Sequence, residues 1–114
     1  MAITEAFAGS EAVSTTEWSL TTDTAGPDVE TSDGVFQLWL DVSDMVAADE
    51  LQIRGYEKVQ AADTQRIFFQ ATLFGVQSEP IFVSPSFILL NGWDFTLDAI
   101  AGTITVTWSI RKVA

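Results

Sequence analysis

Apolar residues fall on alternate positions through most of this chain. From Gly34 to Val42 the run Gly-Val-Phe-Gln-Leu-Trp-Leu-Asp-Val places Phe36, Leu38, Leu40 and Val42 on one side and Val35, Gln37, Trp39 and Asp41 on the other. That period of two belongs to a β-strand. A strand with one fully apolar side needs a second layer to cover it, and the following segments supply candidates. Leu51 and Ile53 are set against Arg54, Tyr56 and Lys58. Gln65 to Phe74 puts Ile67, Phe69, Ala71 and Leu73 on one face, with Phe68 and Phe74 beside Gln70 and Thr72 on the other. Residues 51–74 therefore read as a β-hairpin with a polar loop at 60–64. Trp93, Phe95, Leu97 and Ala99 alternate with Asp94, Thr96 and Asp98, and Ile104, Val106, Trp108 and Ile110 alternate with threonine, serine and Arg111.

The interruptions carry as much information as the strands. Residues 1–20 read as an N-terminal arm or edge strand. Val13, Thr15 and Trp18 among serines and threonines favour extended structure there. Residues 21–33 are a polar loop with Gly26-Pro27 as a turn signal, longer than most ordered connections. Residues 34–114 form the body of one domain. Within it, Ser43 or Asp44 is positioned to cap a single helical turn before Glu50. Pro85 splits Ile81–Val83 from Ser86–Leu90 and marks an edge, a bulge or a corner between sheets. Asn91-Gly92 is the strongest hairpin signal in the chain, and Ala101-Gly102 turns it again. The expected fold is all-β: an antiparallel β-sandwich of about seven to eight strands, jelly-roll or immunoglobulin-like, with an N-terminal arm.

Composition narrows the function. The chain has 114 residues, no cysteine and no histidine, which removes disulfides, thiolate metal sites, the usual zinc ligand and the usual general base. Its formal net charge is −11. All of that excess lies between Met1 and Ile53, where acids stand without a single lysine or arginine; from Arg54 onward acids and bases balance. Nucleic acid is not an expected partner, because binding it needs phosphate neutralisation by lysine and arginine. No membrane is expected either. The first residues lack a basic region and an apolar core, so no secretory signal is read there, and no apolar run approaches the roughly 20 residues of a bilayer span.

Candidate chemistry is sparse. Asp41 with Asp44, or Asp49 with Glu50, offers paired carboxylates of the kind glycoside hydrolysis uses, but no motif places them. Asp28-Val-Glu30-Thr-Ser32-Asp33-Gly34 offers alternate oxygens as a calcium loop does, yet Asp33 stands where the turn glycine belongs and Trp39 where the bidentate glutamate belongs. A catalytic serine triad cannot be assembled without histidine. Arg66 and the Arg111-Lys112 pair are too few for a nucleic-acid groove. No catalytic, cofactor-binding or metal residues are assigned, no cofactor is expected, and the chain reads as non-enzymatic. Trp18, Trp39 and Trp93 are the candidate platforms for a sugar ring, Trp39 most visibly because it lies opposite the apolar face of its strand.

Several strings carry a resemblance. They are Met-Ala-Ile-Thr-Glu-Ala-Phe at the start, Ser14 to Leu20, Asp33 to Gln37, Tyr56-Glu57-Lys58-Val59, Gly92-Trp93-Asp94-Phe95-Thr96-Leu97 and Trp108-Ser109-Ile110-Arg111. Together the chain resembles capsid decoration, or cement, proteins encoded in tailed-bacteriophage head gene clusters. The resemblance implies a β-rich protein that is assembled in the host cytoplasm onto the outer capsid surface of a virion. It implies the major capsid protein as partner, a homo-oligomer with a trimer favoured, and an arm lying on the shell. The alternative expectation is a carbohydrate-binding β-sandwich module of a phage fibre or surface protein.

Overall fold

A computed structural model describes residues 2–113; Met1 and Ala114 lie outside the described residues. Ten strands follow one another: β1 (Ile3–Val13), β2 (Trp18–Ser19), β3 (Thr24–Ala25), β4 (Gly34–Asp41), β5 (Glu50–Glu57), β6 (Arg66–Phe74), β7 (Ile81–Val83), β8 (Phe87–Leu89), β9 (Asp94–Ala101) and β10 (Ile104–Val113). They form two antiparallel sheets. The first has the order β1-β10-β4-β7, with β8 also on β4; the second has the order β3-β2-β9-β5-β6. Counting the small β2–β3 hairpin as one unit and the interrupted β7–β8 edge as another leaves eight, four per sheet. Successive strands alternate between sheets except in the β5–β6 hairpin. That order is the jelly roll, one of the two topologies the sequence allowed.

The core lies between the sheets. Phe36, Leu38, Leu40 and Val42 are fully buried, as their spacing requires, and meet Leu51, Ile53, Phe95 and Leu97 from the facing sheet. Each such side chain contributes roughly 1.5–3 kcal/mol when removed from water. Trp108 reaches under β1, where a Cβ on Gly9 would stand 2.5 Å from its ring; only glycine lets the edge strand close over that indole. Among the described residues no buried side-chain nitrogen or oxygen lacks a partner.

The stretch read as an arm or edge strand takes the second form. β1 pairs with β10 from Ile3↔Val113 to Val13↔Ile104, so it is an integral edge of the sandwich. Residues 14–20 contribute only the short β2. The polar loop 21–33 is held by distant partners: Thr21 and the Asp28 amide donate to Asp94, and Glu30 bridges Trp93. No helical turn forms after β4; Asp41 accepts from the Ser43 amide and Asp49 from the Val46 amide. Pro85 breaks an edge, since β7 and β8 lie on either side of it along the same strand β4.

Two expectations need correction. Asn91-Gly92 does turn the chain, with Gly92 at φ 52, but it carries it from β8 in one sheet to β9 in the other rather than into a hairpin. The β6 alternation shifts at a bulge: Gly55 pairs with Phe69 and Tyr56 with Ile67, leaving Phe68 as the extra residue. One inserted residue reverses the facing of everything beyond it, so Ile67 leaves the core side and is exposed. The same device acts in β1, where Glu5 opposes Arg111 and Phe7 opposes Ile110. The extra Ala6 sends Glu5 outward and Phe7 inward, edge-on to Trp93.

Candidate functional site: an apolar flank and a grooved sheet face

The jelly roll has two narrow sides, each made of two strand edges. On one, β1 lies beside the β2–β3 end of the second sheet; on the other, β7 and β8 lie beside β6. The second side is apolar. Ile67 and Phe74 stand exposed on the outer face of the second sheet, and Ile81, Val83 and Ile88 on the outer face of the first, so both edges of this side carry exposed apolar residues. Ile88 is 84% exposed and Phe74 66%. Between Asp63 and Asp94 the chain carries only Arg66 and Glu79 as charged residues, so the strands of this flank bring little charge of their own, although Glu57 of β5 reaches it and accepts from the Leu90 and Asn91 amides. Exposed apolar residues along both edges make this side a candidate interaction surface. The free edges of β6 and of β7 and β8 add unpaired backbone groups along it.

Packing behind the flank is aromatic. Phe87 lies 5.1 Å from Phe68, 5.2 Å from Phe69 and 5.8 Å from Phe95, centroid to centroid. Gly55 makes room for this group: a Cβ there would meet Phe68 at 3.0 Å and Phe95 at 3.1 Å. The bulge at Phe68 and the glycine opposite it therefore act together, turning a residue of the outer phase against the seam between the sheets.

The outer face of the first sheet holds a groove of about 620 Å³. Strand register builds it in rows. Ala8, Ser109, Trp39 and Val83 are cross-strand neighbours, as are Ser10, Thr107, Asp41 and Ile81; Glu5, Arg111 and Gln37 make a third row. Small side chains on β1 and β10 beside large ones on β4 and β7 produce the depression. Trp39 is fixed from two directions. Its Nε1–H donates to Gln37 Oε1 at 3.0 Å, and the Arg111 guanidinium lies 4.0 Å from its ring centroid. Arg111 also donates to Ser109, whose hydroxyl donates to Glu5 at 2.6 Å. Hydrogen bonds from the Ser43 side chain and backbone hold the Asp41 carboxyl below its ordinary pKa, so it is an ionised acceptor at neutral pH.

The outer face of the second sheet is polar and closed by its own bonds. Glu17 accepts from Tyr56 at 2.6 Å and from Thr96, and Arg54 bridges Glu17 and Asp98. Burial, the bond to Glu17 and the charge on Glu17 push the Tyr56 hydroxyl up to about 12. Burial also raises Asp94, although Ser19, Asp28, Thr21 and Phe95 bond to it and pull the other way. These groups are perturbed, but every one is spent on a neighbour.

The tryptophans separate cleanly. Trp93 is wholly buried and donates to the Ser32 carbonyl; it offers no platform. Trp18 is half-buried with its indole N–H on Asp23. Trp39 alone of the three stands in a concave surface. The paired carboxylates serve the backbone: Asp41 and Asp49 as above, and Asp44 by accepting from the Thr105 amide. The calcium-loop oxygens are dispersed among local bonds, Asp28 with Thr22 and Thr24 and Glu30 with Ser32. No group of three or more acidic side chains is suitably placed for a metal among the described residues. Comparison with protein-family models, with curated proteins and with solved structures gives no match. The surfaces themselves must carry the functional argument. Sequence reasoning singled out Trp39 but missed the flank, because the signal for it, a charge-poor run from 67 to 93, looks like core until its strands prove to be edges.

Proposed function

We propose that this chain is a non-enzymatic structural protein of a tailed-phage virion that binds the outer capsid surface between major capsid subunits, as a homotrimer. The observation that carries the reading is the row of exposed apolar residues on the edge strands β6, β7 and β8. A protein of net charge −11 repels its own copies and any acidic shell, and the strands of this side bring little charge of their own to such a contact. The resemblance in sequence supports the same role. The jelly roll is compatible with it, being an architecture of viral capsid and lectin domains, although a fold does not by itself specify function.

The test is co-sedimentation with empty expanded shells assembled from tailed-phage major capsid proteins. The parent protein should pellet with shells and raise their melting temperature. The double variant Phe74→Asp with Ile88→Asp, which places charge on exposed positions, should remain in the supernatant. Failure of the parent to pellet, or unchanged pelleting of the variant, would contradict the reading.

A further inference from the structure

We infer that the groove around Trp39 is a binding site for a neutral saccharide. This inference stands apart from the virion reading, since the groove lies on the outer face of the β1-β10-β4-β7 sheet and meets the flank only at its rim. The lining decides the ligand class. The indole face away from Arg111 supplies an apolar wall for the C–H face of a sugar ring. Glu5 and Asp41 accept hydrogen bonds from sugar hydroxyls, Arg111 donates to them, and Ser10 and Thr107 do either. An anionic ligand would face two carboxylates on an acidic protein. A cationic one would meet Arg111, already seated on the indole at 4.0 Å. A purely apolar ligand would strand the hydroxyls and charges. A polyhydroxylated neutral ring satisfies all of them.

The site is also prepared before any ligand arrives. Gln37 and Arg111 fix the indole, and the chain Arg111 to Ser109 to Glu5 fixes the polar end. Binding then orders few side chains, which is where weak ligands usually lose affinity. The volume, about 620 Å³, falls within the roughly 300–1,000 Å³ of small-molecule sites. The bulge at Ala6 is part of the construction. Without the extra residue Glu5 would point inward with Phe7, and the groove would lose one of its two acceptors.

Proton–nitrogen correlation spectra of the full chain would test this by titration with methyl glycosides of glucose, mannose, galactose and N-acetylglucosamine, from micromolar to tens of millimolar. At least one glycoside should move the Trp39 indole signal and the amides of Thr107 and Ser109, leaving the indole signals of Trp18 and Trp93 in place. Trp39→Ala should weaken that binding by on the order of tenfold or more, and Trp39→Phe should restore part of it. The unmoved Trp93 signal would report that both variants remain folded. No movement at Trp39 with any glycoside in the panel would overturn the inference. So would equal binding by Trp39→Ala.

Discussion

The two narrow sides of the sandwich are built to the same plan and held by different forces. On the β1 and β2–β3 side, the chain is tied down by hydrogen bonds from distant residues. Glu17 reaches Tyr56, Thr96 and Arg54, and Asp94 receives Thr21 and the Asp28 amide. On the β6 and β7–β8 side, Phe68, Phe69, Phe87 and Phe95 pack across the seam, with hydrogen bonds only at its end, where Glu57 accepts from the Leu90 and Asn91 amides. The polar side finishes its bonds internally and faces water. The apolar side leaves aromatic and aliphatic surface over. The two sides thus differ in what they leave at the surface: satisfied polar groups on one, exposed apolar residues on the other.

The largest effect that separates the sides should come from Phe87→Ala. Truncating a half-buried phenylalanine that touches three other rings should cost about 3 kcal/mol, read from denaturant melts, and the loss should be the same at every pH from 6 to 9. Glu17→Ala should cost about 2 kcal/mol, because it leaves the Tyr56 and Thr96 hydroxyls and one bond of Arg54 without their acceptor. A Glu17→Ala variant as stable as the parent would break the comparison.

A subtler contrast lies at alkaline pH. Tyr56 is the single tyrosine, so phenolate absorbance reads it alone. Its native midpoint should lie near 12, against 10.0 for an unperturbed tyrosine. The folded pKa is raised, so the stability tied to the protonated hydroxyl is complete below about pH 10 and is lost as pH climbs toward about 12. Tyr56→Phe should remove that part of the alkaline slope. Asp94 acts in the same sense at the acid end: with its folded pKa raised by burial, its contribution is most favourable when protonated and declines as pH rises through the carboxylate range.

Much of this architecture could be read from period two alone. β4, β9 and β10 bury the residues their alternation specifies, and the jelly roll is one of the two topologies proposed. What could not be read was anything set by a single inserted residue or by pairing between distant segments. Ala6 and Phe68 look like ordinary members of alternating runs until register shows them to be bulges. Asn91-Gly92 has the local chemistry of a hairpin, and only the partner strands show that it crosses between sheets. The loop at 21–33 looked unsupported because its anchors, Trp93 and Asp94, lie some sixty to seventy positions further along. For the groove, Trp39 was legible as an outward aromatic, whereas the small residues of β1 that hollow the surface beside it enter only through pairing with β10.

The central claim is that the apolar side is an assembly surface and the polar side is not. Light scattering in solution tests it most directly, comparing the parent chain with Phe74→Asp/Ile88→Asp and with Glu5→Gln/Glu11→Gln as the matching change on the other side. The account predicts a trimer for the parent and for the glutamine variant, and a folded monomer for the aspartate variant. A monomeric parent, or an aspartate variant of unchanged mass, would contradict it.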